Sequence, residues 1–441
     1  MRSHNLVSRR LNNPLPNQLD VVRLEPRALL AGDVGVSLSN GTLFITGDAA
    51  DNSVLISTFN DPQDGPGFLI QGQNNNGPTT VNGSLLPVEV FGVLHLDVFM
   101  GLGDDGLTIT NDVAAMLASF EGNEPIIPVD AVVLSGQAKI LMGDGDNQVD
   151  IGWLTTGSRL IVEGGAQNDV FRFSGLDVGT NFTVRTFGDL DNVFVLDSRV
   201  NDNTNIRTAN GDAWVAIDGF SSNGLYILNG NHNDDVTLNG LTIDYDLVVE
   251  GNLGNDRTEI GVPGSFPWEV LASDLTFVGD RLAVRGGDGD NLVDFRDVDA
   301  GMISIVNGDH YDEVYLQSVF TDRNVYISMG MGGSYVDFDN VEITSHLTLI
   351  AGSGNDEVSI TNTTTGTFAT ISMLSGDDIV GIDNMDVTTN LNVFLGNGDD
   401  DLILTSSSAS NANLYGNAGF DQYIHAGNSF GTEDVFSFEE E

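Results

Sequence analysis

Along most of this chain apolar and polar residues alternate in short runs, and the runs come in threes. After Asp378, Val380 and Ile382 alternate, then Met385 and Val387, then Leu391, Val393 and Leu395, before the turn Gly396-Asn397-Gly398-Asp399. After Asp312 the scheme returns as Val314 and Leu316, Val319, then Val325, Ile327 and Met329. After Asp169 it reads VFRF, LDV and NFTVRTF. Alternation of period two predicts strands with one buried face. The turns lack hairpin spacing, so each strand is expected to pair with its equivalent one repeat away.

A carboxylate marks the repeat. Asp290, Asp312, Asp356, Asp378 and Asp400 share one lattice of 22 residues, with Ser334 at its vacant node. Upstream, Asp146, Asp169, Asp191, Asp212, Asp234 and Asp256 recur every 21 to 23 residues. Such a period indicates a stacked solenoid whose single repeat cannot bury its own apolar face. The expected fold is all-β: a right-handed parallel β-helix with about 22 residues and three short strands per coil. Regular winding of residues 33–435 predicts roughly 18 coils and a rod on the order of 85 Å tall. A β-sandwich has no reason to keep so strict a register.

The register breaks in places. Residues 57–80 and 120–130 depart from it, so 33–140 is less regular than 141–435. Between Asp256 and Asp290 an insertion near 262–273 carries two Pro and Trp268. Insertions in repeat proteins commonly sit on a binding face or are simply tolerated there. Residues 436–441 form an acidic tail.

Composition narrows the partners. Acidic residues number 64 against 16 basic ones, for a formal charge of −48, and there is no Cys. A chain so anionic repels nucleic acid and acidic membranes, and attracts divalent cations. No apolar run reaches the roughly 20 residues that span a bilayer as a helix. The six His are scattered without zinc spacing.

Two resemblances add to this. LEPRALLAGD (Leu24–Asp33) resembles the LEPR-XLL segment near the amino terminus of many exported bacterial proteins, with Leu24, Glu25, Pro26, Arg27, Leu29 and Leu30 on its pattern. It implies that 1–32 directs export and that the protein is secreted or at the cell surface; a helical cap on the solenoid is the alternative. The turns, in turn, are similar to the G-G-x-G-x-D-x-U-x calcium repeats of repeats-in-toxin proteins. Gly352-Ser353-Gly354-Asn355-Asp356-Glu357-Val358 comes nearest, although those repeats recur every nine residues and these do not. The resemblance implies calcium at Asp290, Asp312, Asp356, Asp378 and Asp400, and more weakly at Asp146, Asp169, Asp191, Asp234 and Asp256.

Physics bears on the same residues. Stacked carboxylates about 5 Å apart repel by about 3 kcal/mol at an effective dielectric of 20. Either calcium or screening cations lie between them, or each Asp accepts hydrogen bonds from its own turn. The expected function is that of a surface or matrix scaffold, adhesive toward extracellular glycans or other surface proteins. The alternative is a polysaccharide lyase or glycoside hydrolase with a cleft near 262–296, using Arg281, Arg285 and Arg296 with Trp268 as sugar platform.

Overall fold

The computed structural model describes residues 32–74, 77–119, 131–262 and 275–439. The parallel β-solenoid is there, with coils about 22 residues long and about 13 turns instead of the 18 expected. At the spacing between paired strands this is roughly 60 Å of rod.

One coil shows how the sequence makes it. Val170–Ser174, Asp177–Val178 and Phe182–Arg185 are its three strands. Each pairs in parallel with its counterpart 22 residues on, for example Phe171 with Val193 and Phe182 with Thr204. The inward column runs on through Val215, Val236, Thr258, Val293 and Val314. β-Branched residues dominate because they pack well on a pleated surface. The inward side chains of all coils merge into one continuous core.

After the first strand of each coil the chain turns through a left-handed residue. Gly175, Asp197, Gly219, Gly240 and Gly261 occupy this column with φ between 44 and 71°, followed by Asp297, Ser318, Asn340, Asn362, Asn384 and Ser406. Gly and Asn adopt this conformation most readily. Asn384 Nδ2 donates to Asn362 Oδ1 at 2.9 Å, so the column is also tied along the rod.

The shortfall in coils lies at the amino-terminal end. There Asp33–Ser39 and Thr42–Thr46 form an antiparallel hairpin. Ser53–Asp61, Gly65–Gly72 and Val88–Phe91 form an antiparallel set, which absorbs most of the irregular 57–80 stretch. Thr42–Thr46 and Ser53–Asp61 then stack in parallel on the next coil. A short helix, Val113–Ser119, was not expected from the alternation. Its Met116 is buried against Gly152, where a Cβ would lie 2.8 Å from Met116 Cγ. The LEPR-XLL stretch, residues 120–130 and most of the 262–273 insertion with Trp268 lie outside the described residues.

Candidate functional site: the aspartate columns

The acidic turns resolve into two columns of opposite hydrogen-bond polarity. In the inner column the node side chain points into the rod. Its Oδ1 accepts the backbone N–H of the node one coil earlier: Asp169 N to Asp191 Oδ1 at 3.0 Å, Asp234 N to Asp256 Oδ1 at 3.0 Å, Asp356 N to Asp378 Oδ1 and Asp378 N to Asp400 Oδ1 both at 2.8 Å. At the vacant node Ser334 Oγ donates to Asp356 Oδ1 at 2.7 Å. The column closes at Asp421, whose N–H donates to Glu439 Oε2 at 2.6 Å.

The outer column points to solvent and runs the other way. Asp104 N donates to Asp51 Oδ1 and Asp146 N to Asp104 Oδ1, each at 3.0 Å. Farther along, Asp290 Oδ1 accepts from Tyr311 N at 3.1 Å, and Asp377 Oδ1 from Asp399 N at 2.9 Å.

Of the ten aspartates singled out from the sequence, eight stand together on the inner column: Asp169, Asp191, Asp234, Asp256, Asp312, Asp356, Asp378 and Asp400, each 0–6 % exposed. Asp146 and Asp290 do not join them. They belong to the outer column, and their neighbours Asn147 and Asn291 take the inner nodes. Likewise Ala213, not Asp212, occupies its node, with its N–H on Asp234 Oδ1 at 2.8 Å. Coils of both 21 and 22 residues occur, so a strict lattice drifts by one position. One position is enough to turn a side chain from inside to outside.

Two of the Asn nodes, Asn147 and Asn291, reveal what an inner slot accommodates. Asn291 Oδ1 accepts Asp256 N at 3.1 Å, while its Nδ2 donates to Gly287 O at 3.1 Å and Gly289 O at 2.9 Å. Asn147 does the same with Gly143 O and Gly145 O at 3.0 and 2.9 Å. The slot thus presents one N–H donor and two carbonyl acceptors. At the Asp nodes Oδ2 takes the place of that NH₂ group. Oδ2 of Asp105, Asp234, Asp256, Asp312, Asp356, Asp378, Asp400 and Asp421 is buried with no hydrogen-bond partner. An ionised carboxylate has no hydrogen to give two carbonyls, whereas a protonated one does.

The electrostatic setting of these groups agrees. Burial pushes Asp169, Asp312 and Asp378 up to about 7, and Asp234 to about 8, against the N–H bonds that oppose it. Neighbouring carboxylates add to the rise, Asp256 beside Asp234 among them. Asp256, Asp356 and Asp400 are pushed up to about 6, again chiefly by burial. Asp191 is raised too, with Gly188 N reaching its Oδ2 at 3.2 Å. Asp169 Oδ2 accepts Gly165 N at 2.9 Å, so these two slots are satisfied differently.

These slots do not fit a resident calcium ion. Ca²⁺ takes six to eight oxygens at 2.3–2.6 Å. Here Oδ1 is engaged by an N–H, and Oδ2 lies hard against backbone. A Cβ added to Gly164 or Gly251 would fall 1.9 or 2.1 Å from Oδ2 of Asp169 or Asp256. Among the described residues no group of three or more acidic or His side chains is arranged to hold one metal ion.

The arginines of the enzymatic alternative are each engaged by a carboxylate. Arg281 Nη2 meets Asp246 at 3.1 Å, Arg296 Nη2 meets Asp294 at 2.9 Å, and Arg285 pairs with Glu250. Arg285 and Arg296 lie on different strands of the coil, the third and the first. Comparison with protein-family models, curated proteins and solved structures found no match to this chain.

Proposed function

We propose that the protein is an exported structural rod of the cell surface or extracellular matrix, with an adhesive role. One observation carries this reading: the inner-column acids serve to hold coil to coil, and the arginines offered for catalysis are paired with carboxylates. A lyase or glycosidase needs accessible acids, bases or clamps, and these residues are spent on architecture. Immunogold labelling of intact, unpermeabilised cells that make the protein is expected to decorate their exterior. Label confined to the cytoplasm of sectioned cells would remove the reading. Turnover of a soluble polysaccharide, abolished by Arg285→Ala, would replace it with the enzymatic one.

Calcium, in this reading, gathers on the outer column and not in the buried nodes. Asp51, Asp104 and Asp146 line one open cleft of about 300 Å³. With a single carboxylate per coil, association is loose and mainly relieves self-repulsion. Millimolar Ca²⁺ is therefore expected to raise the melting temperature by a few degrees beyond Na⁺ at equal ionic strength. The double substitution Asp104→Asn, Asp146→Asn should shrink that increment. An increment of zero in the native chain would take calcium out of the account.

A further inference from the structure

On a chain of net charge −48 one face carries no charge. It is the outward side of the third strand in six consecutive coils, from Met302 to Tyr415. The paired segments are those around Ile303, Val325, Leu347, Ala369, Leu391 and Ala412, in unbroken parallel register. Their outward positions hold no Asp, Glu, Lys or Arg. The middle column reads Ser304, Tyr326, Thr348, Thr370, Asn392 and Asn413. The column beside it carries Phe394 and Tyr415, whose rings stack at 5.0 Å, and the stack runs on to Phe436 at 4.9 Å. Charge returns on both sides: Arg281 and Arg285 lie one coil before, and Asp434 one coil after.

The middle column is hydrogen-bonding but neutral, while the columns beside it mix apolar residues such as Val306, Ile350 and Phe394 with polar ones. Asn413 Nδ2 donates to Asn392 Oδ1 at 2.8 Å, and Asn392 Nδ2 to Thr370 Oγ1 at 3.3 Å. Each amide and hydroxyl keeps further hydrogen-bonding capacity directed outward. In its later coils the adjoining turn extends the same chemistry, with Thr367 Oγ1 on Ser345 O and Thr389 Oγ1 on Thr367 O, whereas at the first coils Arg323 stands there paired with Asp280. Six rungs at about 4.8 Å make a flat strip roughly 24 Å long and about 14 Å wide.

We infer that this strip docks a neutral polysaccharide lying along the rod. This deepens the adhesive reading above and rests on it. A basic protein would be drawn to the acidic faces, and an acidic glycan would be repelled by them. A second copy of this chain finds only about 340 Å² here, well short of the roughly 800 Å² per partner of a stable interface. A neutral glycan needs no counter-charge, and it offers hydroxyls to the amide and threonine columns and C–H surface to the aromatic one.

Affinity electrophoresis of the full chain in gels containing hydroxyethylcellulose, dextran, mannan or polygalacturonate tests this. At least one of the three neutral polymers is expected to retard the protein relative to a plain gel, and polygalacturonate is not. The double substitution Thr370→Asp, Asn392→Asp should cut the retardation at least about tenfold in apparent affinity. Tyr326→Ser, exposed and remote from the core, should weaken it and serves as the second variant if the first is misfolded by circular dichroism. Absence of retardation in every neutral polymer, or retardation undiminished in folded variants, would overturn the inference. So would a concentration-dependent dimer in sedimentation, abolished by the same substitutions, without glycan binding. Retardation is read on purified protein, so failure of the surface-labelling experiment would leave this result standing on its own.

Discussion

Acidifying the solution from pH 8 to pH 5 is expected to raise the melting temperature by roughly 10 °C, the reverse of ordinary acid denaturation. Buried nodes such as Asp169, Asp312 and Asp378 titrate near 7 in the fold, and Asp234 near 8. In the unfolded chain an aspartate titrates near 3.9. Between these values the native state binds more protons than the unfolded one, so stability falls as pH rises. Below about pH 4 both states are protonated and the advantage is fully present. It is lost progressively as pH climbs from about 4, where the unfolded chain ionises, through the folded values near 7 and 8. Each node contributes on the order of 1 kcal/mol per pH unit within that window. Carboxylates such as Asp48, held low by N–H groups of Asp33 and Ala50, act in the opposite sense, but only near pH 3–4. Thermal melts by circular dichroism across this range check it. A melting temperature that is flat, or that falls toward pH 5, would contradict the protonated column.

Asp356→Asn and Asp400→Asn are each expected to stabilise the protein at pH 8, by about 1–2 kcal/mol. Both nodes follow a Gly-x-Gly turn, as Asn291 does, with Gly352 and Gly354 or Gly396 and Gly398 at positive φ. The introduced Nδ2 should donate to the turn carbonyls just as Asn291 Nδ2 donates to Gly287 and Gly289. Oδ1 would remain to accept Ser334 Oγ or Asp378 N. At pH 5 the gain should shrink toward zero, because the native carboxyl then carries its own proton. Alanine at the same nodes removes the acceptor as well, and should destabilise at both pH values by about 1–3 kcal/mol. Urea melts of the four variants at the two pH values separate these outcomes. An Asn variant weaker than the native chain at pH 8 would mean that the slots hold an ionised carboxylate or a cation.

Much of the architecture was legible because it rests on short-range rules. Alternation gave the strands, and Gly-rich turns gave the spacing between them. The inner column was legible only where an acid happened to stand in phase. At Gly143-Asp144-Gly145-Asp146-Asn147 the lattice selects Asp146, yet the inward residue is Asn147. Strand parity carries the missing information. Inner nodes lie two residues before the first inward residue of their strand, which is usually apolar: Asn147 before Val149, Asp169 before Phe171, Asn291 before Val293, with Thr258 after Asp256 the polar case. Asp146 and Asp290 fail that rule, since Gln148 and Leu292 point outward. Where two acids adjoin, as at Asp399-Asp400, counting alone does not separate the inner from the outer column.

Other features carry a weak signal in the sequence or none. The left-handed column was marked by Gly175, Asp197, Gly219 and Gly240, which repeat at the coil length but are not all of one residue type. The antiparallel start and the helix at Val113–Ser119 follow from local pairings that the periodic pattern does not contain. Burial of the nodes was hidden for a simpler reason. Aspartate in a turn is normally solvated, and only the stacking of coils above and below shuts water out.

The central claim is that neutral, buried aspartic acids, stacked coil upon coil, hold the rod together. Its most direct test is a pH titration of the aspartate side-chain carboxyl carbons by ¹³C NMR on aspartate-labelled protein. The account predicts a distinct set of resonances that changes between about pH 5 and 9, reduced in Asp356→Asn by one signal centred near 6. A titration in which every aspartate ionises near pH 4 would contradict it.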